Sequence, residues 1–347
     1  MSKRDGFEIA GEVVAAGERR TVHIPVSTLS DHTPVTLSAH VLHGKKDGPV
    51  VFVSAGIHGD EVIGVEIVRR LLRAKNLVKL SGTLIVVPIV NTFGFLNHSR
   101  YLPDRRDLNR CFPGSPNGSL ASRLADIFMS EVVARCSLGI DLHSAAIHRV
   151  NLPQVRVSAK NRETMRLAEV FGAPVILTSG LREGSLRQEA QKRGVDVLLY
   201  EAGEGMRFDE MSVRAGLAGI LRVLNAVGVL PSAGIAKPKA QSLLCADSHW
   251  QRAPAGGLLR VFKGEGDVVQ AGEVVAAISD PFGEREIEVT TKYSGIIVGR
   301  AVMPVVHEGD ALFHIAAVKS TDLAEAAMDD LTTQLEEAAL FDEDEII

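Results

Sequence analysis

The chain has 347 residues, 46% of them hydrophobic, with a formal charge of −5 and an isoelectric point near 6.1, enough for a sizeable core and more than one domain. The acidic balance, with no basic run interleaved with aromatics, excludes nucleic acid as the main partner, because phosphate binding calls for a surplus of Lys and Arg. Cys111, Cys136 and Cys245 are an odd set without a Cys-x-x-Cys spacing and read as reduced thiols; with no apolar run long enough to span a bilayer or serve as a signal h-region, a cytoplasmic protein without a membrane partner is expected.

Residues 7–42 alternate polar and apolar, as half-exposed strands at a sheet edge do. His23, His32, His40 and His43 follow that alternation and read as solvent-facing strand residues. An apolar run over 50–53 ends at Gly56-Ile57-His58-Gly59-Asp60-Glu61, and residues 62–72 carry apolar side chains at helical spacing. A continuous apolar strand over 83–90 has the character of one buried on both faces of a parallel sheet. Helices near 120–133, 162–171, 185–192 and 209–227 then alternate with strands at 138–142, 174–177 and 195–200. This rhythm predicts an α/β domain over residues 1–231 with a mixed sheet flanked by helices.

A strand that stops at a glycine and turns into a helix delivers its last side chains to the carboxyl edge of the sheet, where such folds hold ligands. His58 and Glu61, three apart, can share one cation in a helical first turn. His143 ends the apolar strand Gly139-Ile140-Asp141-Leu142-His143 and should emerge at the same edge, with Asp141 placed to orient an imidazole. Two His and one Glu with an open fourth position make a hydrolytic zinc centre, one Zn2+ per chain. Glu201, ending a third buried strand in Leu198-Leu199-Tyr200-Glu201-Ala202-Gly203, supplies the general base that such chemistry needs. The long polar loop over 91–118 is of the length that usually carries function. In it Asn109 and Arg110 pair an amide with a guanidinium, which suits a carboxylate, whereas Arg105 and Arg106 read as solvated surface.

His58-Gly59-Asp60-Glu61, Arg100-Tyr101 with Asp107-Leu108-Asn109-Arg110, Asp141-Leu142-His143 and Glu201-Ala202-Gly203 resemble, in this order, the motifs of the succinylglutamate desuccinylase/aspartoacylase family, over roughly residues 35–230. The resemblance implies a zinc-carboxypeptidase-like fold, His58, Glu61 and His143 as metal ligands and Glu201 as the catalytic glutamate. It also implies substrate contacts from Arg100, Asn109, Arg110 and Arg187, the last as the arginine that grips the substrate carboxylate. The function expected is removal of an acetyl or succinyl type acyl group from a small N-acyl amino acid. Relatives of this kind include deacetylases of N-acetyl-diaminobutyrate, whose extra ammonium Asp60, Asp141 or Glu204 could meet. A metallocarboxypeptidase acting on peptides, and a zinc- or acyl-ligand-binding protein without catalysis, are the alternatives. The carboxylate at 201 counts against the second, since binding alone needs no proton shuttle.

After a small Pro-containing linker (232–238) the composition changes to short strands broken by glycine. Gly257-Leu258-Leu259 with Glu265-Gly266-Asp267 is echoed by Gly295-Ile296-Ile297 with Glu308-Gly309-Asp310, a duplication that predicts a small β barrel or sandwich over 239–318. It resembles the barrel-sandwich fold of biotinyl and lipoyl domains, but the turn at Asp280-Pro281-Phe282-Gly283 has no lysine at its tip, which disfavours a carrier role. A cover over the active cleft is expected instead, with His307 or Tyr293 as the residues that could reach it. The acidic tail over 319–347 reads as a solvated segment or as a helix docked on a second copy of the chain in a homo-oligomer.

Overall fold

The computed structural model describes residues 4–318 except Lys239, with positions 320, 321, 324–326, 328, 329 and 333 beyond; the tail read from the sequence otherwise lies outside the described residues. The strands β1 (Phe7–Ile9) and β2 (Glu12–Val14) form an antiparallel ribbon, and β3 (Arg19–Thr28) pairs antiparallel with β4 (Pro34–His43). Next come β5 (Lys46–Ala55), α1 (Ile63–Arg73), β6 (Ser81–Val87), the short α2 (Thr92–Leu96) and α3 (Leu120–Glu131). β7 (Leu138–His143), β8 (Arg149–Val157), α4 (Arg162–Phe171), β9 (Val175–Thr178), α5 (Leu186–Lys192), β10 (Asp196–Glu204) and α6 (Glu210–Ala226) complete the α/β part. Thereafter the chain runs through β11 (Leu243–Cys245), β12 (Ser248–Arg252), β13 (Gly257–Val261), β14 (Val268–Val269), β15 (Val274–Ser279), β16 (Glu286–Thr290), β17 (Gly295–Ala301), β18 (Val305–Val306) and β19 (Ala311–Ala316).

The large mixed sheet runs in the order β3-β4-β6-β5-β7-β10-β8. Its middle strands β6, β5, β7 and β10 are parallel, and consecutive buried residues such as Val51, Phe52 and Val53 mark a sheet covered on both faces. α1, α4 and α6 cover one face through Ile67, Leu71, Leu167, Phe171, Ile220 and Leu224. α3 and α5 cover the other, where Phe128 meets Phe52 edge-on at 5.8 Å; each such ring, fully removed from water, contributes about 1.5–3 kcal/mol. α1 forms because Ile63, Ile67, Val68 and Leu71 fall on one buried stripe while Glu66 pairs with Arg69 and Arg70 on the outer side. Asn161 caps α4 by accepting from the amides of Glu163 and Thr164, and Gly172 ends it in the left-handed region, as helix termini favour.

Two findings differ from the sequence reading. Residues 149–157 form the strand β8, paired with β10 on one side and with β9 and β17 on the other. Pro153 hides it, because a proline argues against an interior strand; it is tolerated where the β8–β10 register shifts between Glu201 and Gly203. His43, expected on the surface, is buried, with Nδ1 at 2.8 Å from Thr83 Oγ1 and Nε2 at 2.8 Å from the Asp5 carbonyl.

Through the β8–β17 pairing the large sheet continues into β17-β19-β12. Four further strands form a separate antiparallel sheet, β16-β15-β13-β18. Among the described residues no helix is long and apolar enough to cross a membrane.

Candidate metal centre and active site

Register brings the site together. Leu142 lies opposite Ala55 and His143 opposite Glu201, so the carboxyl ends of β5, β7 and β10 emerge side by side. After Ala55 the chain passes through Gly56 at φ +63 and into a turn in which the Glu61 amide donates to the His58 carbonyl at 3.2 Å. His58 and Glu61 therefore sit in a turn ahead of α1, which begins at Ile63, rather than in its first coil. Gly59 in that turn presses on the Gly94–Phe95 backbone so closely that any Cβ would collide, and this contact holds the turn against α2.

His58, Glu61 and His143 are all 3% exposed, and one ligand atom from each lies within 4.8 Å of the others. His58 Nδ1 is 2.6 Å from Glu61 Oε1, and His143 Nδ1 is 2.7 Å from Glu61 Oε2. The opposite nitrogens meet carboxylates: His58 Nε2 reaches Asp107 Oδ1 at 3.0 Å and His143 Nε2 reaches Asp141 Oδ2 at 2.8 Å. Asp141 is itself held by the Ser54 hydroxyl at 2.8 Å, and Arg100 spans Glu61 and Asp107 at 3.2 and 3.0 Å.

The donor set fits a zinc ion. Each imidazole that gives its Nε2–H to a carboxylate presents a lone pair on Nδ1, so both rings are fixed in the tautomer a metal needs. Without an ion the same atoms share protons. Burial opposes ionisation of Glu61, yet the His58 and His143 charges overcome it and hold the carboxyl far below its usual range. Burial likewise opposes the charged form of His143, and Asp141 and Glu61 outweigh it to hold the imidazole well above its ordinary value. A divalent cation would take the place of the protons that these three buried groups share.

The residues read from the sequence as metal ligands, catalytic carboxylate and substrate contacts line one cavity of about 230 Å³: His58, Glu61, His143, Glu201, Arg100, Asn109, Arg110 and Arg187. Glu201 Oε2 accepts from Asn151 Nδ2 at 2.8 Å, and Oε1 is 3.5 Å from the Arg156 guanidinium. Asn109 Oδ1 accepts from the Leu186 amide at 2.9 Å, which leaves its NH2 as donor to a ligand. Arg187 donates one nitrogen to Ser179 Oγ and the Gly180 carbonyl, while its other terminal nitrogen is buried without a partner. Burial, and then the nearby Arg156 charge, lower this guanidinium to about 10.

Sequence reasoning missed Asp107 as the partner of His58, Asn151 and Arg156 on the unexpected strand β8, and Trp250 on β12. Trp250, rather than His307 or Tyr293, is the aromatic residue from the C-terminal strands that lines the cavity. Asp107, inside a quoted motif, was findable as a carboxylate two residues before Asn109. Trp250 carries no local signal. Asp60 and Glu204, considered for a substrate ammonium, do not line the cavity, and Asp141 is already engaged by Ser54 and His143.

A carboxyl-edge cluster of two histidines and a glutamate that could hold a metal ion, with the separate carboxylate of Glu201 lining the same cavity, is an arrangement suited to hydrolysis. The sequence profile described as "Succinylglutamate desuccinylase/Aspartoacylase catalytic domain" matches residues 47–227, more than half of the chain. The protein belongs to this family of deacylases. It is 28% identical over 284 residues, 78% of this chain and 83% of the relative, to the N-alpha-acetyl-L-2,4-diaminobutyric acid deacetylase of Halomonas elongata. Its fold is similar to that of a succinylglutamate desuccinylase/aspartoacylase from Rhodobacter sphaeroides, with a TM-score of 0.79, 26% identity and coverage of 91% of this chain and 97% of that one. It is also similar to the product-bound ectoine utilization protein EutE (DoeB) of Ruegeria pomeroyi, with a TM-score of 0.77, 22% identity and coverage of 90% and 96%.

Proposed function

We propose that this protein is a zinc-dependent amidohydrolase that removes a short acyl group from the amino nitrogen of a small amino acid. The observation that carries the reading is the pair of buried histidines, each turned by a carboxylate so that Nδ1 faces Glu61. His58 and His143 through Nδ1, and Glu61 through its carboxylate, would hold one zinc ion, which when bound supplies a Lewis acid for the amide carbonyl and an acidified water.

Glu201 takes the proton of the attacking water and returns it to the departing amine nitrogen, so the free amino acid leaves with the proton it needs. Asn151 and Arg156 hold that carboxylate in place. Arg100 offers its guanidinium to the negative charge that develops on the carbonyl oxygen. Arg187, Arg110 and Asn109 hold the substrate carboxylate; the unpartnered buried nitrogen of Arg187 supports this role, because such a donor is costly until a ligand satisfies it.

We infer further that residues 239–318 form a barrel-sandwich domain of the biotinyl/lipoyl type that covers the cleft of the α/β domain over 1–231, and that the three free thiols suit a cytoplasmic setting. The acyl group is acetyl or succinyl in type, and N-acetyl-diaminobutyrate, named for the Halomonas relative, is one candidate.

The test is hydrolysis of a panel of N-acetyl and N-succinyl amino acids, with and without chelator, with bound zinc quantified on the same sample. Turnover that disappears with the metal and returns with zinc is expected. Stoichiometric zinc with no turnover across the panel would refute the deacylase reading, and release of amino acids from peptides would replace it with a carboxypeptidase.

A further inference from the structure

The residue directly opposite Glu201 on β8 is Gln154, yet the side chain that reaches its carboxylate is Asn151, which donates from Nδ2 to Oε2 at 2.8 Å. Residues 151 and 154 are an odd number of positions apart and on a regular strand would point to opposite faces. The register shift sets the stretch from Gln154 to Asn151 on β8 against the shorter stretch from Glu201 to Gly203 on β10, and this bulge turns Asn151 back toward Glu201. Bulges beside active sites re-aim side chains in this way. The Arg156 guanidinium stands farther off, 3.5 Å from Oε1, so Asn151 makes the closer of the two contacts that fix the carboxylate.

Asn151, which is buried, is in turn seated from the C-terminal side. Its partner across the β8–β17 pairing is Gly299, and a Cβ at that position would lie 2.5 Å from Asn151 Oδ1 and 3.2 Å from the Val150 carbonyl oxygen. Gly299 is not one of the glycines with a positive φ, so its backbone conformation suits any residue; what calls for glycine is the space that Asn151 occupies. Val298, its neighbour, is the extra residue of a second bulge, between Ile297 and Gly299, and its carbonyl accepts from Gln154 Nε2 at 3.0 Å. β17 is thereby locked in register on β8, with the bare backbone of Gly299 against Asn151.

We propose that Gly299 is a positioning residue for the catalytic carboxylate: by leaving room for Asn151 it lets β17 hold that side chain against Glu201, so that a C-terminal strand fixes the general base. This rests on the deacylase reading and deepens it. A methyl group at position 299 would push Asn151 Oδ1 aside. The amide is planar and its stem short, so Nδ2 would move with Oδ1 and the bond to Glu201 would be lost, while the pairing of β8 with β17 survives.

The test is a cycle of zinc-loaded proteins: the parent, Gly299→Ala, Asn151→Ala and the double variant. With the best substrate of the N-acetyl and N-succinyl panel, Gly299→Ala and Asn151→Ala should each lower kcat ~10–100-fold, the cost of an ångström-scale misplacement. KM and zinc content should stay as in the parent, the signature of an interaction that acts on the transition state. In the double variant the added methyl group meets space that the asparagine has vacated, so Gly299→Ala should cost no further factor in the Asn151→Ala background. Unfolding midpoints in denaturant read the same coupling without turnover: the shift caused by Gly299→Ala should largely disappear in that background.

A Gly299→Ala protein with the parent's kcat would overturn the proposal and leave the deacylase standing, since Asn151 would then keep Glu201 in place around the methyl group. Equal losses from Gly299→Ala with and without Asn151 would overturn it too, because the damage would lie in the sheet rather than in the seating of Glu201. A zinc-loaded parent without turnover on the panel would instead sink the deacylase reading; coupled midpoints would then keep the seating of Asn151 by Gly299, and additive midpoints would remove it.

Discussion

Replacing Asp141 by Asn should weaken zinc binding by ~10–100-fold, or ~1.4–2.8 kcal/mol, without unfolding the protein. Asp141 is 1% exposed; its Oδ2 accepts the Nε2–H of His143 at 2.8 Å and its Oδ1 accepts the Ser54 hydroxyl at 2.8 Å. Asparagine keeps the shape and can keep an oxygen toward Ser54, but then its NH2 faces His143 Nε2. Two donors cannot share that contact, so the ring moves its proton to Nδ1, the atom needed as a ligand. Competition against a chromophoric chelator near neutral pH measures the affinity, and thermal unfolding of the metal-free protein checks the fold. Asp104→Asn, whose carboxylate accepts from the Ala121 amide away from the metal group, is the control. An Asp141→Asn protein that holds zinc as tightly as the parent would refute the argument that the carboxylate sets the tautomer.

Glu201→Gln should lower kcat by ~10²–10⁴-fold with zinc content retained, read by metal analysis alongside steady-state kinetics; loss of the metal would mean that Glu201 helps hold it. His314 should make the protein acid-sensitive: burial, and then the Arg156 and His249 charges, lower its imidazole from 6.5 to about 3. A folded pKa below the unfolded one means that its contribution is intact above the ordinary imidazole range. It is lost as pH falls from about 6.5 toward about 3, at up to ~1.4 kcal/mol per pH unit, and denaturant titrations of parent and His314→Gln should diverge there, the variant showing the flatter acid limb. Gly139→Ala should destabilise the fold by ~1–3 kcal/mol, because the added Cβ would enter the space of the Phe52 ring on the adjacent strand; an unchanged unfolding midpoint would show that Phe52 can repack.

Much of the site was legible because its residues close or follow apolar runs that reach one edge of the sheet, although the third strand continues past Glu201 to Glu204. His143 and Glu201 close continuous apolar runs, and His58 and Glu61 follow a third through a glycine, so the rule that parallel strands deliver their carboxyl ends to one edge predicts their meeting without coordinates. The helices read equally well, since α1 and α4 bury one stripe at helical spacing that pattern alone exposes. The grouping of His58, Glu61, His143 and Glu201 at one edge, and the family motifs, are therefore legible in local pattern.

Tertiary structure decided the rest. Asn151 and Arg156 stand on β8, which a proline disguises and only a register shift opposite Glu201 and Gly203 accommodates. Which carboxylate turns which imidazole depends on a loop folding back from Asp107 over His58, a contact across 49 residues. Trp250 reaches the cavity because β17 pairs with β8 and carries β19 and β12 along with it, so an aromatic residue far along the chain meets Arg149. Local sequence records what each segment prefers; which segments become neighbours is set by register and packing between distant strands, and in this protein that pairing brings Asn151, Arg156 and Trp250 to the cavity.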